Sequence, residues 1–120
     1  MLIQDYKSLT VWEKSMQLAE DVYQLTTKFP KEEKFSLVDQ LHRAAVSVPS
    51  NIAEGYGRIH QGDRIHHLSI ALGSNYEVET QLLLAVRLGF ISDKETDNSL
   101  SLITEVSKML VTLIKHLEKK

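Results

Sequence analysis

Apolar residues recur at helical spacing in four segments of the chain, without the strict alternation that a strand requires. Each break between the segments contains glycine or proline, around positions 28–31, 55–62 and 88–92. We therefore predict helices over about 10–28, 33–56, 63–88 and 93–118. Four helices with short connections favour an all-α fold, an up-down-up-down four-helix bundle that spans 1–120 as one domain.

The second predicted helix contains a proline within its apolar stripe. The stripe runs from Leu37 to Tyr56 in steps of three and four, and it stays in phase across Pro49. Proline removes the backbone hydrogen bond to Ala45, so we predict one helix kinked at Pro49. Two shorter helices, with Pro49 in the first turn of the second, are the alternative.

Two pairs of side chains match the capping box, in which each member satisfies a free backbone N–H at a helix start. Thr10 and Glu13 form the first pair, and Ser92 and Glu95 form the second. They predict the starts of the first and fourth helices.

The first and third helices carry more apolar surface than one neighbour needs. Trp12, Ala19 and Tyr23 form a second stripe on helix one, and Leu82–Val86 is apolar all round. We predict that this surplus is covered by further copies of the chain. The candidate subunit-interface residues are Trp12, Tyr23, Leu82 and Leu84. Plain core packing is the alternative for the two aromatic residues.

Composition narrows the function classes. The chain of 120 residues has no cysteine, which excludes disulfides and thiolate metal sites, and its net charge is −2. Balanced charge counts against a generic nucleic-acid binder, which is usually basic. The longest apolar stretch is far shorter than the roughly 20 residues that cross a bilayer, and no leader pattern opens the sequence. We expect a cytoplasmic protein without a membrane partner.

Polar residues line one face of helix two and interrupt helix three. If the two helices turn back near residue 60, residues whose numbers sum to about 120 lie opposite one another. That register pairs Arg43 with Glu77, Ser47 with Gly73, and Glu54 with His66. The result is either a ligand or partner site or a network that fixes helix register. The members of this predicted inter-helix network are Arg43, Ser47, Asn51, Glu54, Glu77 and Glu79.

Metal and catalytic templates match poorly. Asp39-x-x-His42 and Asp63-x-x-His66 resemble the Glu-x-x-His pairs of di-iron bundles, but aspartate is shorter and the two pairs fall at opposite ends of the hairpin. No nucleophile elbow, phosphate-binding loop or zincin motif is present in the sequence. We assign no catalytic residue, no metal ligand and no cofactor.

Two arginines and three histidines gather between positions 58 and 67. Such groups contact phosphate, more strongly as imidazoles gain protons near pH 6. The candidate nucleic-acid contacts are Arg58, His60, Arg64 and His67. An exposed, solvated loop is the alternative.

Longer motifs resemble a known bacterial family. They are Leu-His-Arg-Ala-Ala-Val-Ser-Val-Pro-Ser-Asn-Ile-Ala-Glu-Gly-Tyr-Gly-Arg over 41–58, followed by Leu-Ser-Ile-Ala-Leu-Gly-Ser over 68–74 and Glu-Val-Glu-Thr-Gln-Leu-Leu-Leu-Ala over 77–85. Leu9–Trp12 and Phe29–Pro30 fit as well. The chain resembles, over roughly 6–91, the four-helix bundle proteins encoded within intervening sequences of 23S ribosomal RNA genes.

The resemblance implies a bundle that forms ring-like homo-oligomers, typically pentamers, with no established catalytic activity. A distant relative, the accessory variability determinant of diversity-generating retroelements, is a basic barrel that binds nucleic acid and a reverse transcriptase. The present chain departs from that relative in its balanced charge. It also departs from the family pattern at His42, Asn75 and Tyr76.

The sequence therefore predicts a non-enzymatic, homo-oligomeric interaction or adaptor bundle, with the pentamer implied by the resemblance. The first alternative is an accessory protein that binds RNA or a nucleic-acid-processing protein. The second is a bundle that binds a small ligand or a metal ion.

Overall fold

Four helices form the structure, a computed structural model that describes residues 5–119. The helices are α1 (Thr10–Thr26), α2 (Leu37–Gly57), α3 (Gln61–Arg87) and α4 (Asp97–Glu118). Each helix packs against its neighbours in sequence, and α4 returns to α1 to close the ring. The predicted all-α, up-down-up-down bundle is confirmed. Within the described residues, no helix is long and apolar enough to cross a bilayer.

Helix α2 passes through Pro49 without a break. Pro49 is buried, and so are Ala45 before it and Ile52 after it, so the stripe packs inward on both sides. The prediction of one helix is confirmed over the alternative of two. Burial of the stripe offsets the lost hydrogen bond, and the kink itself stays a prediction.

Only one of the two predicted capping boxes forms. The Ser92 amide donates to Glu95 Oε1 over 2.9 Å, and the Glu95 amide donates to Ser92 Oγ over 3.2 Å. This box lies at the start of the short 3-10 turn Lys94–Thr96, whose N-cap position is Asp93, and α4 begins only after that turn, at Asp97, later than predicted. The Thr10–Glu13 box is wrong: the Glu13 amide donates to the Leu9 carbonyl over 3.1 Å, which makes Thr10 the first residue of α1.

The buried core divides into two clusters along the bundle axis. The larger cluster lies toward the α1–α2 and α3–α4 connections, and it contains Leu18, Val22, Leu25, Phe29, Leu37, Leu41, Ala44, Ala45, Val78, Leu82, Ala85, Ile91, Leu102 and Ile103. The smaller lies toward the α2–α3 connection, and it contains Val11, Val48, Ile52, Leu68, Ala71, Val106 and Leu110.

Buried polar side chains separate the two clusters. Asn75 of α3 is completely buried, and its Nδ2 donates to the Ile103 carbonyl over 3.0 Å and to Ser107 Oγ over 2.9 Å. Ser15 of α1 is buried at the same level, between Val11 and Leu18. A buried amide that finds its partners only on α4 fixes how α3 and α4 slide past each other.

Candidate functional sites

Three of the predicted network residues join α2 to α3. Ser47 Oγ lies 2.8 Å from Ser74 Oγ, and Asn51 Nδ2 donates to Ser47 Oγ over 3.0 Å. His67 Nδ1 lies 3.0 Å from Asn51 Oδ1, and His67 Nε2 lies 3.9 Å from a Glu54 carboxylate oxygen. Since Oδ1 only accepts, the Nδ1 nitrogen carries the proton. The network therefore holds the hairpin in register.

The observed register is one residue beyond the predicted one. Ser47 faces Ser74 where Gly73 was expected, and Glu54 approaches His67 where His66 was expected. One residue turns a helix by about 100°. Gly73 is consequently exposed, and a Cβ there would meet no atom of the described residues within 4 Å.

The close approach of α2 and α3 occurs instead at Gly55. A Cβ at that position would lie 3.2 Å from the Arg64 carbonyl oxygen and 3.2 Å from His67 Cβ. A larger residue would push the helices apart at their junction.

The predicted pairing of Arg43 with Glu77 is wrong. The Arg43 side chain is 79% exposed, and its Nε lies 3.2 Å from Asp39 Oδ2, one turn earlier on α2. With the register shifted by one, Arg43 lies opposite Val78, a buried apolar residue that cannot accept its hydrogen bonds.

Glutamines take the place of the expected ion pair. Gln81 Nε2 lies 3.2 Å from Glu77 Oε2 and 3.3 Å from Gln40 Oε1, so Gln81 connects α3 to α2. Glu79 is half-buried on α3. The structure therefore does not bring Arg43, Glu77 and Glu79 together as one site. Arg43 forms an exposed ion pair with Asp39 on α2, whereas Glu77 contacts Gln81 on α3.

The Asp-x-x-His pairs have other contacts. Asp39 pairs with Arg43, and His42 Nε2 lies 2.9 Å from Thr26 Oγ1. Asp63 and His66 are exposed at the start of α3. Across residues 5–119, no three His, Asp or Glu side chains converge as metal ligands do.

The basic segment lies at the end of the bundle where α2 meets α3. Arg58 Nη2 donates to Glu54 Oε2 over 2.8 Å, and Arg64 Nε donates to the Arg58 carbonyl over 2.6 Å. His60 is exposed, whereas His67 is half-buried in the network with Asn51. The structure thus brings Arg58 and Arg64 together, whereas both ring nitrogens of His67 face Asn51 and Glu54.

A groove of about 690 Å³ runs along α1 and α2 and contains both aromatic interface candidates. Tyr23 is 46% exposed, and its ring stacks on His42 with centroids 3.7 Å apart. Trp12 is half-buried, packs against the smaller core cluster and meets the edge of Tyr6. Met16 and Val46 extend the exposed apolar surface of the groove.

His42 lies beneath Tyr23, where burial dominates its electrostatics. Burial lowers the pKa of His42 from its usual 6.5, and the nearby Asp39 carboxylate partly opposes that shift. The imidazole is therefore held toward its neutral form, which suits stacking on an aromatic ring.

The apolar end of α3 faces two ways. Leu82 is completely buried in the larger cluster of its own subunit, so the prediction that it faces another subunit is wrong. Leu84 is 45% exposed, and Leu83 and Leu88 are exposed beside it. Leu82 and Leu84 differ in burial because residues two apart in a helix point to opposite sides of it.

The buried polar layer is a feature that the sequence predictions missed. Asn75 sits on the inward step between Ala71 and Val78, both fully buried. A polar residue at that spacing indicates a buried amide, and the register of α3 against α4 supplies the two acceptors for its Nδ2, whereas its Oδ1 has no hydrogen-bond partner among the described residues.

The fold, register and core define this protein as an antiparallel four-helix bundle. The profile of the 23S rRNA-intervening sequence protein family matches residues 7–112, and the chain belongs to that family. The predicted resemblance is confirmed.

A crystal structure of a related protein shows the same fold. That protein, of unknown function and from the S23 ribosomal protein family of Bacteroides thetaiotaomicron, is 30% identical. The match covers 88% of this chain and 99% of that one, with a TM-score of 0.81. No curated protein sequence matches the chain.

Proposed function

We propose that this protein is a non-enzymatic, cytoplasmic interaction bundle that assembles into a homopentameric ring. The observation that carries the proposal is the apolar groove on α1 and α2, where Met16, Tyr23 and Val46 are exposed together. Exposed apolar surface of this kind marks sites of protein association.

A second apolar surface supports assembly into a ring. Leu83 and Leu84 are exposed near the end of α3, and Leu88 is exposed at its C-cap, all outside the groove. When two different surfaces of one chain meet head to tail, each copy still offers a free surface to the next, and the series closes into a ring or extends as a filament. The number five comes from the family resemblance.

The test is the mass of the protein in solution, measured by light scattering after gel filtration. The unmodified chain is expected at five times its monomer mass. Tyr23→Glu places a charge in the groove and is expected to shift the mass to the monomer, and Leu84→Glu is expected to do the same from the other surface.

Phe35→Glu is the matched control. Phe35 is 86% exposed and lies outside the groove, in the connection between α1 and α2, so this variant is expected to keep the mass of the unmodified protein. A monomeric unmodified protein would overturn the proposal. So would Tyr23→Glu and Leu84→Glu variants that both keep the full mass.

A second candidate function, binding of RNA or of a nucleic-acid-processing protein, is favoured by the clustering of Arg58 and Arg64 beside exposed His60. A ring would repeat this basic cluster once per subunit.

Filter binding of ribosomal RNA fragments at about 50 mM salt tests the nucleic-acid-binding function, and binding is expected to weaken steeply as the salt concentration rises. Loss of binding in Arg58→Gln, with Arg87→Gln unaffected, would support this function; no binding at low salt would remove it.

A further inference from the structure

A cavity of about 500 Å³ opens at the end of the bundle where α2 ends, α3 begins and α4 ends. Its inner wall is apolar and consists of Leu9, Ile52, Leu68, Leu113 and Leu117. Gln61 Nε2 donates to the Leu117 carbonyl, which ties the start of α3 to the end of α4 beside the cavity. Volumes of about 300–1,000 Å³ with mainly apolar walls are typical of small-molecule sites.

The polar groups of the cavity wall are biased toward positive charge. Arg58, Arg64 and His116 line it, and none of the described residues along the wall is an aspartate or glutamate. Glu54 partly neutralises Arg58 through their ion pair at 2.8 Å. The Arg64 Nε donates to the Arg58 carbonyl over 2.6 Å, which restrains the Arg64 side chain at the cavity wall. Its terminal nitrogens are free of any acidic partner within residues 5–119.

We propose that this cavity binds a small amphipathic anion. The apolar body of the ligand lies among the leucines and Ile52, and its single carboxylate accepts hydrogen bonds from Arg64. Guanidinium groups are suited to carboxylates because their N–H groups match the two oxygens. This site goes beyond the proposed assembly, since it lies at the end of the bundle, away from the groove of Tyr23 and Val46.

The experiment compares three probes by isothermal titration calorimetry. Decanoate carries both an apolar chain and a carboxylate, decanol has the chain alone, and inorganic phosphate has the charge alone. We expect decanoate to bind, decanol to bind roughly tenfold more weakly, and phosphate not to bind measurably, because a charge-assisted hydrogen bond contributes about 1.5 kcal/mol or more. Equal binding of decanoate and decanol would overturn the proposal.

Arg64→Gln tests the assigned residue. We expect this variant to bind decanoate roughly tenfold more weakly while its affinity for decanol stays unchanged. Arg87→Gln is the control, because Arg87 is an exposed arginine at the far end of α3. If Arg64→Gln binds decanoate as tightly as the unmodified protein does, the assignment is wrong.

Arg64 also holds the α2–α3 connection, so its replacement could loosen the fold. A measurement on the unmodified protein avoids that problem: decanoate is expected to shift the methyl NMR signals of Leu9, Ile52, Leu68 and Leu113. Shifts confined to the groove around Met16 and Val46 would overturn the cavity site and leave the assembly proposal untouched.

Discussion

The two ends of the bundle are built differently. At the end formed by the α1–α2 and α3–α4 connections, the rings of Phe29 and Phe90 pack with centroids 5.5 Å apart, and Lys28 forms an ion pair with Glu95. At the other end, Arg58 and Arg64 border an open cavity of about 500 Å³. We refer to these as the closed end and the open end.

The core follows the same division. Among the described residues, the cluster at the closed end holds 14 buried apolar side chains, whereas the cluster at the open end holds 7. Buried apolar area contributes about 25 cal/mol per Å², so the closed end supplies the larger share of the stability. The comparison teaches that the closed end contributes most of the buried core, whereas the open end combines a smaller core with cationic side chains and open volume, where we propose that a ligand binds.

The largest expected difference in the free energy of unfolding is between truncation of Phe29 at the closed end and truncation of Ile59 at the open end. Phe29 is buried, and Phe29→Ala is expected to lower the free energy of unfolding by about 3 kcal/mol, because it leaves a cavity in the larger cluster. Ile59 is 87% exposed at the open end, and Ile59→Ala should change stability by less than about 0.5 kcal/mol. Urea unfolding at one fixed protein concentration measures both, and equal losses would contradict the burial of Phe29 and the exposure of Ile59.

A smaller effect is expected from two glycines at helix ends. Gly89 ends α3 with φ at +79°, and its amide donates to the Val86 carbonyl while the Phe90 amide donates to the Ala85 carbonyl. Gly89→Ala should destabilise by about 1 kcal/mol, since a Cβ is disfavoured at positive φ.

Gly57 at the open end is the matched position. A Cβ there meets none of the described atoms within 4 Å, so Gly57→Ala should leave stability unchanged or raise it by up to about 1 kcal/mol. Thermal unfolding of the two variants side by side checks the contrast. Destabilisation of both by the same amount would show that Gly57 also needs a conformation that alanine avoids.

The ion pair of the closed end predicts a pH effect. Hydrogen bonding by Lys28, then by the Ser92 amide, lowers the pKa of Glu95 from 4.5 to about 2. Because the folded-state pKa is depressed, the contribution of Glu95 to stability is present above pH 4.5 and is lost as the pH falls toward 2.

Lys28→Met should raise the pKa of Glu95 only part of the way back toward 4.5, since the Ser92 amide still donates to the carboxylate. Carboxyl-carbon NMR titration measures it, with Lys94→Met as the control; an unchanged pKa would exclude Lys28 as the main cause.

The smallest expected effect concerns His42, close to the closed end. Burial lowers the pKa of His42 below 6.5, so the unfolded chain binds a proton more readily than the folded one. The stability contribution is therefore complete above pH 6.5 and declines as the pH falls through that value toward the folded-state pKa. Tyr23→Ala uncovers the ring and should return the pKa of His42 toward 6.5, whereas Asp39→Asn should lower it further. Histidine NMR titration decides, and a fall in pKa in the Tyr23→Ala variant would contradict burial as the main cause.

The sequence by itself determined the helices and their order, because helical periodicity and the residues between helices are local properties of the chain. It also predicted the antiparallel register of α2 and α3 to within one residue. Only the tertiary structure decided the remaining one-residue shift in register. That shift determined whether Arg43 faced Glu77 or solvent, because one residue rotates a helix by about 100°. The same holds for Leu82, which the apolar pattern could not distinguish from Leu84, and for Asn75, whose partners Ile103 and Ser107 lie on another helix. Hydrophobic spacing is a property of one helix, whereas burial and hydrogen-bond partners depend on how that helix is rotated against its neighbours.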